Sequence, residues 1–186
     1  MCEIELYSSQ TEQVLSILER DGVCYSRAEY VRKKYGESAE IFLLAYSSFV
    51  REAEKLLQKP EKAEYPYWAF PDPRSVDLSG GGVLSRLRVP IRELLFFDAW
   101  DWYKVLRLSY IGENEEEEKE FARELSLRGL DSNKVMLSSF YPEWKERILK
   151  SWSRLFRFDQ LIRSGDYSCV HSVQAALWML KKEWLR

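Results

Sequence analysis

The chain has 186 residues, of which 46% are hydrophobic and 31% charged, and its formal net charge is −2 at pH 7. A chain of this length and composition buries a core of its own, which excludes a disordered protein. The near balance of charge argues against a protein that coats nucleic acid non-specifically through its overall charge. The three cysteines are scattered and form no C-x-x-C pair, so we expect neither a disulfide framework nor a metal site.

The first strand is predicted at residues 3–7, where EIELY alternates charged and apolar residues. Ser9 and Glu12 have the spacing of a capping box and predict a helix that ends at Gly22. The sequence VCY that follows predicts a short second strand. Two glutamates stand where a signal peptide has basic and then apolar residues, and no apolar run is long enough to cross a bilayer. We therefore expect a cytoplasmic protein without a membrane segment.

Two helices and two strands are predicted in the middle of the chain. The helices start at Ser26 and Ser38, and the first of them closes at Gly36. The strands are VLSRLRVP and ELLFFD. The latter ends at Asp98, which has the side chain of a helix N-cap.

The C-terminal third is predicted to be helical. The acidic run ENEEEEKEF suits a helix start, because the helix dipole favours negative charge there. Pro142 is placed to begin another helix, and the closing segment CVHSVQAALWMLKKEWLR spaces its apolar residues like a helix face. These elements predict one α+β domain over residues 1–186, with a small, mostly antiparallel sheet flanked by helices.

Four cations recur on one side of the helix predicted after Pro142. They are called the basic stripe below and are Arg147, Lys150, Arg154 and Arg157. The stripe is interpreted as the solvent side of an amphipathic helix. The alternative is a face that binds phosphates or a partner, with RNA as one such ligand, but we do not expect nucleic acid to bind.

The segment YPYWAFPDPRSVDLSGGG, residues 65–82, combines aromatic rings with prolines and ends in three glycines. Its prolines keep the chain extended and out of a strand ladder. We predict that Tyr67, Arg74 and Asp77 lie at a surface or cleft, where they form the rim of a small-ligand site. Trp68 and Phe70 are predicted to be core. The glycine run is either an anion-binding nest or a flexible turn.

Motifs for catalysis are absent from the sequence. His171 is the single histidine, and no G-x-S-x-G elbow accompanies it. There is no Walker loop and no G-x-G-x-x-G motif. Gln10 and Gln174 offer amide groups that both donate and accept hydrogen bonds, so together in one cleft they are suited to orient a base or an amide.

The order of several short motifs resembles a bacterial family of unknown function, number 3841. The motifs are YPYWAF, VDL, the glycine run with VLSRLRVP, LLFFDAWDWYKVL, SWSRLF and HSVQAALWML, and the resemblance runs from about Leu6 to the C-terminus. It implies that the family-type positions are Tyr65, Pro66, Trp68, Asp77, Asp98, Trp102, Ser172 and Gln174. Ser79 stands where the family pattern has an arginine.

A further likeness is to the ADP-ribosyltransferase-like fold, through an opening strand with a polar end and a helix that ends in DG. It implies an NAD-like ligand. The chain departs from that pattern because neither an arginine nor a histidine ends the first strand, and no catalytic glutamate is evident near the end of the chain. The leading hypothesis is a small polar ligand or nucleotide bound in a cleft lined by residues 65–77. The alternatives are a protein-interaction domain and a degenerate ADP-ribosyltransferase-like enzyme. The predicted ligand-binding residues are Gln10, Tyr65, Tyr67, Trp68, Arg74, Asp77, Asp98, Trp102, Ser172 and Gln174.

Overall fold

The structure, a computed structural model, describes residues 2–29, 32, 36 and 39–186. The strands are β1 (Glu3–Gln10), β2 (Val23–Cys24), β3 (Tyr67–Ala69), β4 (Val83–Pro90), β5 (Leu94–Asp98), β6 (Val173–Leu177) and β7 (Leu180–Lys181). The α-helices are α1 (Glu12–Asp21), α2 (Ala39–Ala53), α3 (Ala99–Leu106), α4 (Glu115–Ser126), α5 (Ser132–Met136), α6 (Pro142–Ser151) and α7 (Asp159–Arg163). Small antiparallel sheets flanked by helices, with further helices in the C-terminal part, confirm the predicted α+β class.

The strands connect into one antiparallel arrangement. β1 pairs with β4 over its whole length, and β6 lies between β3 and β5. A bridge between Tyr7 and Phe70, with backbone bonds of 2.7 and 2.8 Å, joins β1 to the end of β3. The strand order is therefore β4-β1-β3-β6-β5. β2 pairs with β7.

Each face of this sheet packs against a different core. The helix-side face carries Trp68, Phe97 and Ala176, which pack with α2 and α3 in one hydrophobic cluster. The opposite face carries Leu6 and Phe96 and contacts a second cluster that includes α1. Because side chains alternate between faces along a strand, a residue's position in the register decides which core or surface it meets.

Several helix ends follow the sequence signals, and one differs. Gly22 ends α1 in a left-handed conformation with φ of 76°, as the DG signal predicts. Asp98 accepts a hydrogen bond from the backbone of Trp100 and caps α3. The predicted capping box at Ser9 is wrong: the N-cap of α1 is Thr11, whose hydroxyl accepts from the Val14 N–H. Ser9 instead belongs to β1, which continues to Gln10.

The closing segment was predicted as a helix, and this prediction is wrong. Residues 173–177 form β6, the central strand between β3 and β5, and β7 and a short 3₁₀ helix follow. All but the first residue of β6 are buried, so an apolar run without strict alternation reads equally well as a buried strand. The helix predicted from Ser26 to Gly36 and the helix start predicted at Ser38 fall partly outside the described residues.

The outer edge of β5 is covered by side chains of α7. Asp159 is 5% exposed and accepts the Phe96 N–H at 2.8 Å. Arg163 bonds to Asp159 at 2.6 Å and also donates to the Leu94 carbonyl at 2.6 Å. These two side chains therefore satisfy backbone groups that a neighbouring strand normally pairs.

Candidate ligand-binding site at the open face of the sheet

The helix-side face is covered on β3, β6 and β5 but open on β1 and β4. The open part, called the open face below, consists of Glu5, Tyr7, Ser9, Leu84, Arg86 and Arg88. Each of these residues is half-buried or exposed. Where the helices stop, the sheet continues, so the boundary between the covered and the open part brings half-buried aromatic rings next to polar groups of β1 and β4.

Charged and hydroxyl groups on the open face are paired across the strands. Arg86 bonds to Glu5, and Arg88 lies 3.0 Å from Glu3. The Tyr7 hydroxyl donates to Glu5 at 2.5 Å. The Arg86 hydrogen bond lowers the pKa of Glu5, and the Glu5 hydrogen bond raises the pKa of Tyr7. The open face is thus polar but locally neutral.

Aromatic rings border the open face on the side of β3. Phe70 is half-buried and pairs with Tyr7. Trp68 is also half-buried, and its indole N–H donates to the Tyr46 hydroxyl at 3.2 Å. The Trp68 ring lies 5.2 Å from that of Trp102, within an edge-to-face cluster. The Trp68 part of this border is therefore anchored in the helix-side core.

Gln174 lies in the row of residues next to Phe70. It pairs with Phe97 across β5 and β6, and the register of β3 with β6, continued by one residue, places Phe70 on its other side. Gln174 is 5% exposed. Among the described residues, its side-chain amide has no hydrogen-bond partner, and the amide is not among the fully buried polar atoms, so it keeps slight contact with solvent.

The structure does not bring the two predicted glutamines together. Gln10 lies on the opposite face of the sheet, at the other end of the strands, because β1 places it in line with Leu6 and Ser8. Its amide donates to the Ser8 hydroxyl at 2.6 Å, and Ser8 in turn donates to the Trp68 carbonyl at 2.6 Å. Gln10 therefore supports Ser8, and it is Ser8 that links β1 to β3.

The other aromatic residues predicted for the site are in the cores. Tyr65 and Trp102 are buried on the helix side. Tyr67 faces the second core, where its hydroxyl donates to the Cys24 sulfur at 3.1 Å. Of the predicted aromatic residues, Trp68 alone is only half-buried and borders the open face.

Arg74 and Asp77 are exposed, as predicted, but they do not pair with each other. The Arg74 guanidinium binds Asp72 at 2.7 Å, and Asp77 accepts the Ser79 N–H at 2.8 Å. The short 3₁₀ helix Pro73–Ser75 lies near β1. These contacts shape the loop rather than aim a charge at a ligand.

Asp98 joins the end of β5 to the segment before β6. Its buried carboxylate accepts the backbone N–H groups of Trp100, His171 and Ser172 at 3.0, 3.1 and 3.2 Å. The His171 Nδ1 lies 2.9 Å from the same carboxylate, and the imidazole stacks on Trp100. Ser172 accepts the Ala99 N–H at 2.8 Å. Asp98 and Ser172, both predicted site residues, thus form a structural junction.

Every cation of the basic stripe contacts an acidic residue of the chain. The partners are Glu124 for Arg147, Glu146 for Lys150, Glu113 and Glu117 for Arg154, and Asp101 for Arg157. Glu117 belongs to the acidic run that begins α4. The stripe is therefore neutralised by acidic residues of the chain. The prediction that it forms the solvent side of one helix is wrong for Arg154 and Arg157, because α6 ends at Ser151 and both side chains are largely buried.

Sequence reasoning missed Tyr7 and Arg86 as members of the candidate site, and it assigned Phe70, which is half-buried, to the core. The alternation of β4 was recognised, and it placed Arg86 away from the core. The sequence does not show that Glu5 pairs with Arg88 or that Tyr7 pairs with Phe70, because strand register depends on residues far apart in the chain.

Comparison with known proteins identifies the family. The family model described as Domain of unknown function (DUF3841) matches residues 5–186, and the chain belongs to this family. No curated protein and no solved structure matches the chain. Within the described residues, no helix is long and apolar enough to span a membrane, and no cluster of three or more potential ligands is placed to hold a metal.

Proposed function

We propose that the protein binds a small polar ligand with a flat ring, such as a nucleotide, on the open face against Trp68 and Phe70. The observation that carries this proposal is that helices cover only part of the sheet. Polar groups of β1 and β4 line the uncovered part, and half-buried aromatic rings border it. Rings stack on aromatic side chains whatever their substituents, while Tyr7 and Arg86 supply hydrogen bonds.

Thermal-shift screening against nucleotides, with NAD included because of the ADP-ribosyltransferase likeness, tests the proposal. We expect a saturable rise in melting temperature, since a ligand that binds the native state alone stabilises it. Phe70→Leu is expected to weaken binding roughly tenfold, because stacking on an aromatic side chain contributes about 1–3 kcal/mol per base. Phe140→Leu is the matched control, as Phe140 is 83% exposed and lies in the loop before α6. Equal loss in both variants, or no shift with any compound, contradicts the proposal.

A second candidate function is binding to another protein through α3. Trp100 is 56% and Tyr103 52% exposed, and they are neighbours on one helix face. Exposed aromatic residues are enriched where protein interfaces form. A partner whose binding is lost in Trp100→Ala, with no thermal shift by any nucleotide, favours this function over the first.

We also propose that the protein resides in the cytoplasm. Cys2 and Cys169 are exposed free thiols, and Cys24 is a buried one; a reducing compartment keeps such thiols unpaired. Titration of the protein purified without reductant should find all three thiols free, and a disulfide would contradict this location.

A further inference from the structure

We infer that Gln174 recognises a lactam edge on the ligand, that is, a ring N–H next to a ring carbonyl. This inference rests on the proposed function and names the chemistry of its ligand. Gln174 as a residue is 5% exposed, and its amide has no hydrogen-bond partner among the described residues but keeps slight solvent contact through which a ligand can reach it. It lies next to Phe97 on one side and in line with Phe70 on the other, at the inner limit of the open face.

The chemical complement of a primary amide is a neutral edge that both donates and accepts. The amide nitrogen donates to a carbonyl, and the amide oxygen accepts an N–H. A ring with N–H and C=O on adjacent atoms satisfies both at once, with two parallel hydrogen bonds. A ring that lacks the N–H leaves the buried amide oxygen unpaired, and sites of this kind reject such analogues strongly.

The charges near the open face favour a neutral edge over an ionised one. Arg86 and Arg88 are each paired with a glutamate across the strands. A carboxylate on the ligand has to compete with Glu5 and Glu3 for these cations. Uracil-like and hypoxanthine-like rings carry the required edge without any charge.

Matched pairs of nucleosides test the inference. The probes are uridine with 3-methyluridine and inosine with 1-methylinosine, in which a methyl group replaces the N–H of the edge. Affinity is measured by titration calorimetry on the full chain. We expect the parent nucleoside of at least one pair to bind tenfold or more tightly than its methylated form. In Gln174→Met this difference should disappear.

Two controls separate the possible failures. Gln10→Met removes a glutamine from the opposite face and should leave the discrimination between parent and methylated nucleosides unchanged. Gln174→Glu keeps the size of the side chain and the acceptor for the ring N–H but loses the amide donor to the ring carbonyl, so it should weaken both parent nucleosides while the discrimination against the methylated forms remains. If nucleosides bind with equal affinity in both pairs, or if the discrimination survives in Gln174→Met, the inference is wrong while the proposed function stands. If no ring compound binds at all, the proposed function and the inference both fail.

Discussion

Replacing Gln174 with methionine should make the free protein more stable, which is unusual for a substitution at a buried position. Burial of an amide without a hydrogen bond costs about 1–3 kcal/mol in mutational data. Gln174 is 5% exposed and, among the described residues, its amide is unpaired but keeps slight solvent contact, so only the lower end of this cost applies. Methionine has a similar length and is flexible enough to keep the contact with Phe97. We expect a gain of about 1 kcal/mol, which for a chain of this size raises the melting temperature by about 2–4 °C.

Gln10→Met is the matched control for this prediction. Gln10 is equally buried at 5% exposure, but its amide bonds to Ser8 at 2.6 Å. Its replacement should lower stability by about 1 kcal/mol through the lost hydrogen bond. Urea unfolding followed by tryptophan fluorescence measures both variants. If Gln174→Met lowers the free energy of unfolding by more than about 1 kcal/mol, the amide is hydrogen-bonded in the free protein. That result would contradict the assignment of Gln174 to the candidate site.

Three further predictions follow from contacts outside the open face. Asp98→Ala should destabilise the protein by about 2–4 kcal/mol, because it removes a helix cap and leaves backbone N–H groups at the β5–β6 junction unpaired. The control Asp72→Ala, at an exposed pair with Arg74, should cost less than about 1 kcal/mol. Equal losses of stability in the two variants would contradict this account. Burial raises the pKa of Asp101 despite the nearby Arg157 and Lys104, so the folded state holds its proton to higher pH than the unfolded state does. The contribution of Asp101 to folding stability is then fully present below its unfolded-state pKa and lost as pH rises through its folded-state pKa. Between these two pKa values, the free energy of unfolding of the wild type should fall relative to that of Asp101→Asn. A rise over this pH range would show that burial does not raise the pKa. Filter binding should retain no RNA even at low salt, since the basic stripe is neutralised by the chain's own acids; retention with a steep salt dependence would show that the stripe is free to bind phosphates.

Local signals in the sequence predicted much of the fold. The alternation in VLSRLRVP predicted β4 and the side on which its arginines lie, and the DG step predicted the end of α1. Asp98 was correctly predicted as an N-cap because a cap depends on neighbouring residues alone. The segment around β6 was predicted as a helix because a strand buried on both faces lacks the alternation that distinguishes it.

The candidate site was less predictable than the fold. Trp68 and Gln174 were identified, but their relation to Tyr7 depends on two pairings between distant strands. Gln10 was assigned to the same cleft as Gln174 because both side chains are amides that donate and accept hydrogen bonds. The register places it on the opposite face, and a shift of one residue is enough to reverse such an assignment. Residue type therefore identified candidate groups, and long-range register decided which of them face the same space.

The contacts of Asp159 and Arg163 with β5 affect how the molecule behaves among its own copies. β5 carries the sequence LLFFD at the end of the five-strand order, and an uncovered strand of this composition is a template for cross-molecular pairing. Because α7 places a carboxylate and a guanidinium on its Phe96 N–H and Leu94 carbonyl, a second chain can add a strand there only by displacing an ion pair. The two side chains of this short helix thus occupy backbone groups that a second copy of the chain would need in order to extend the sheet at β5.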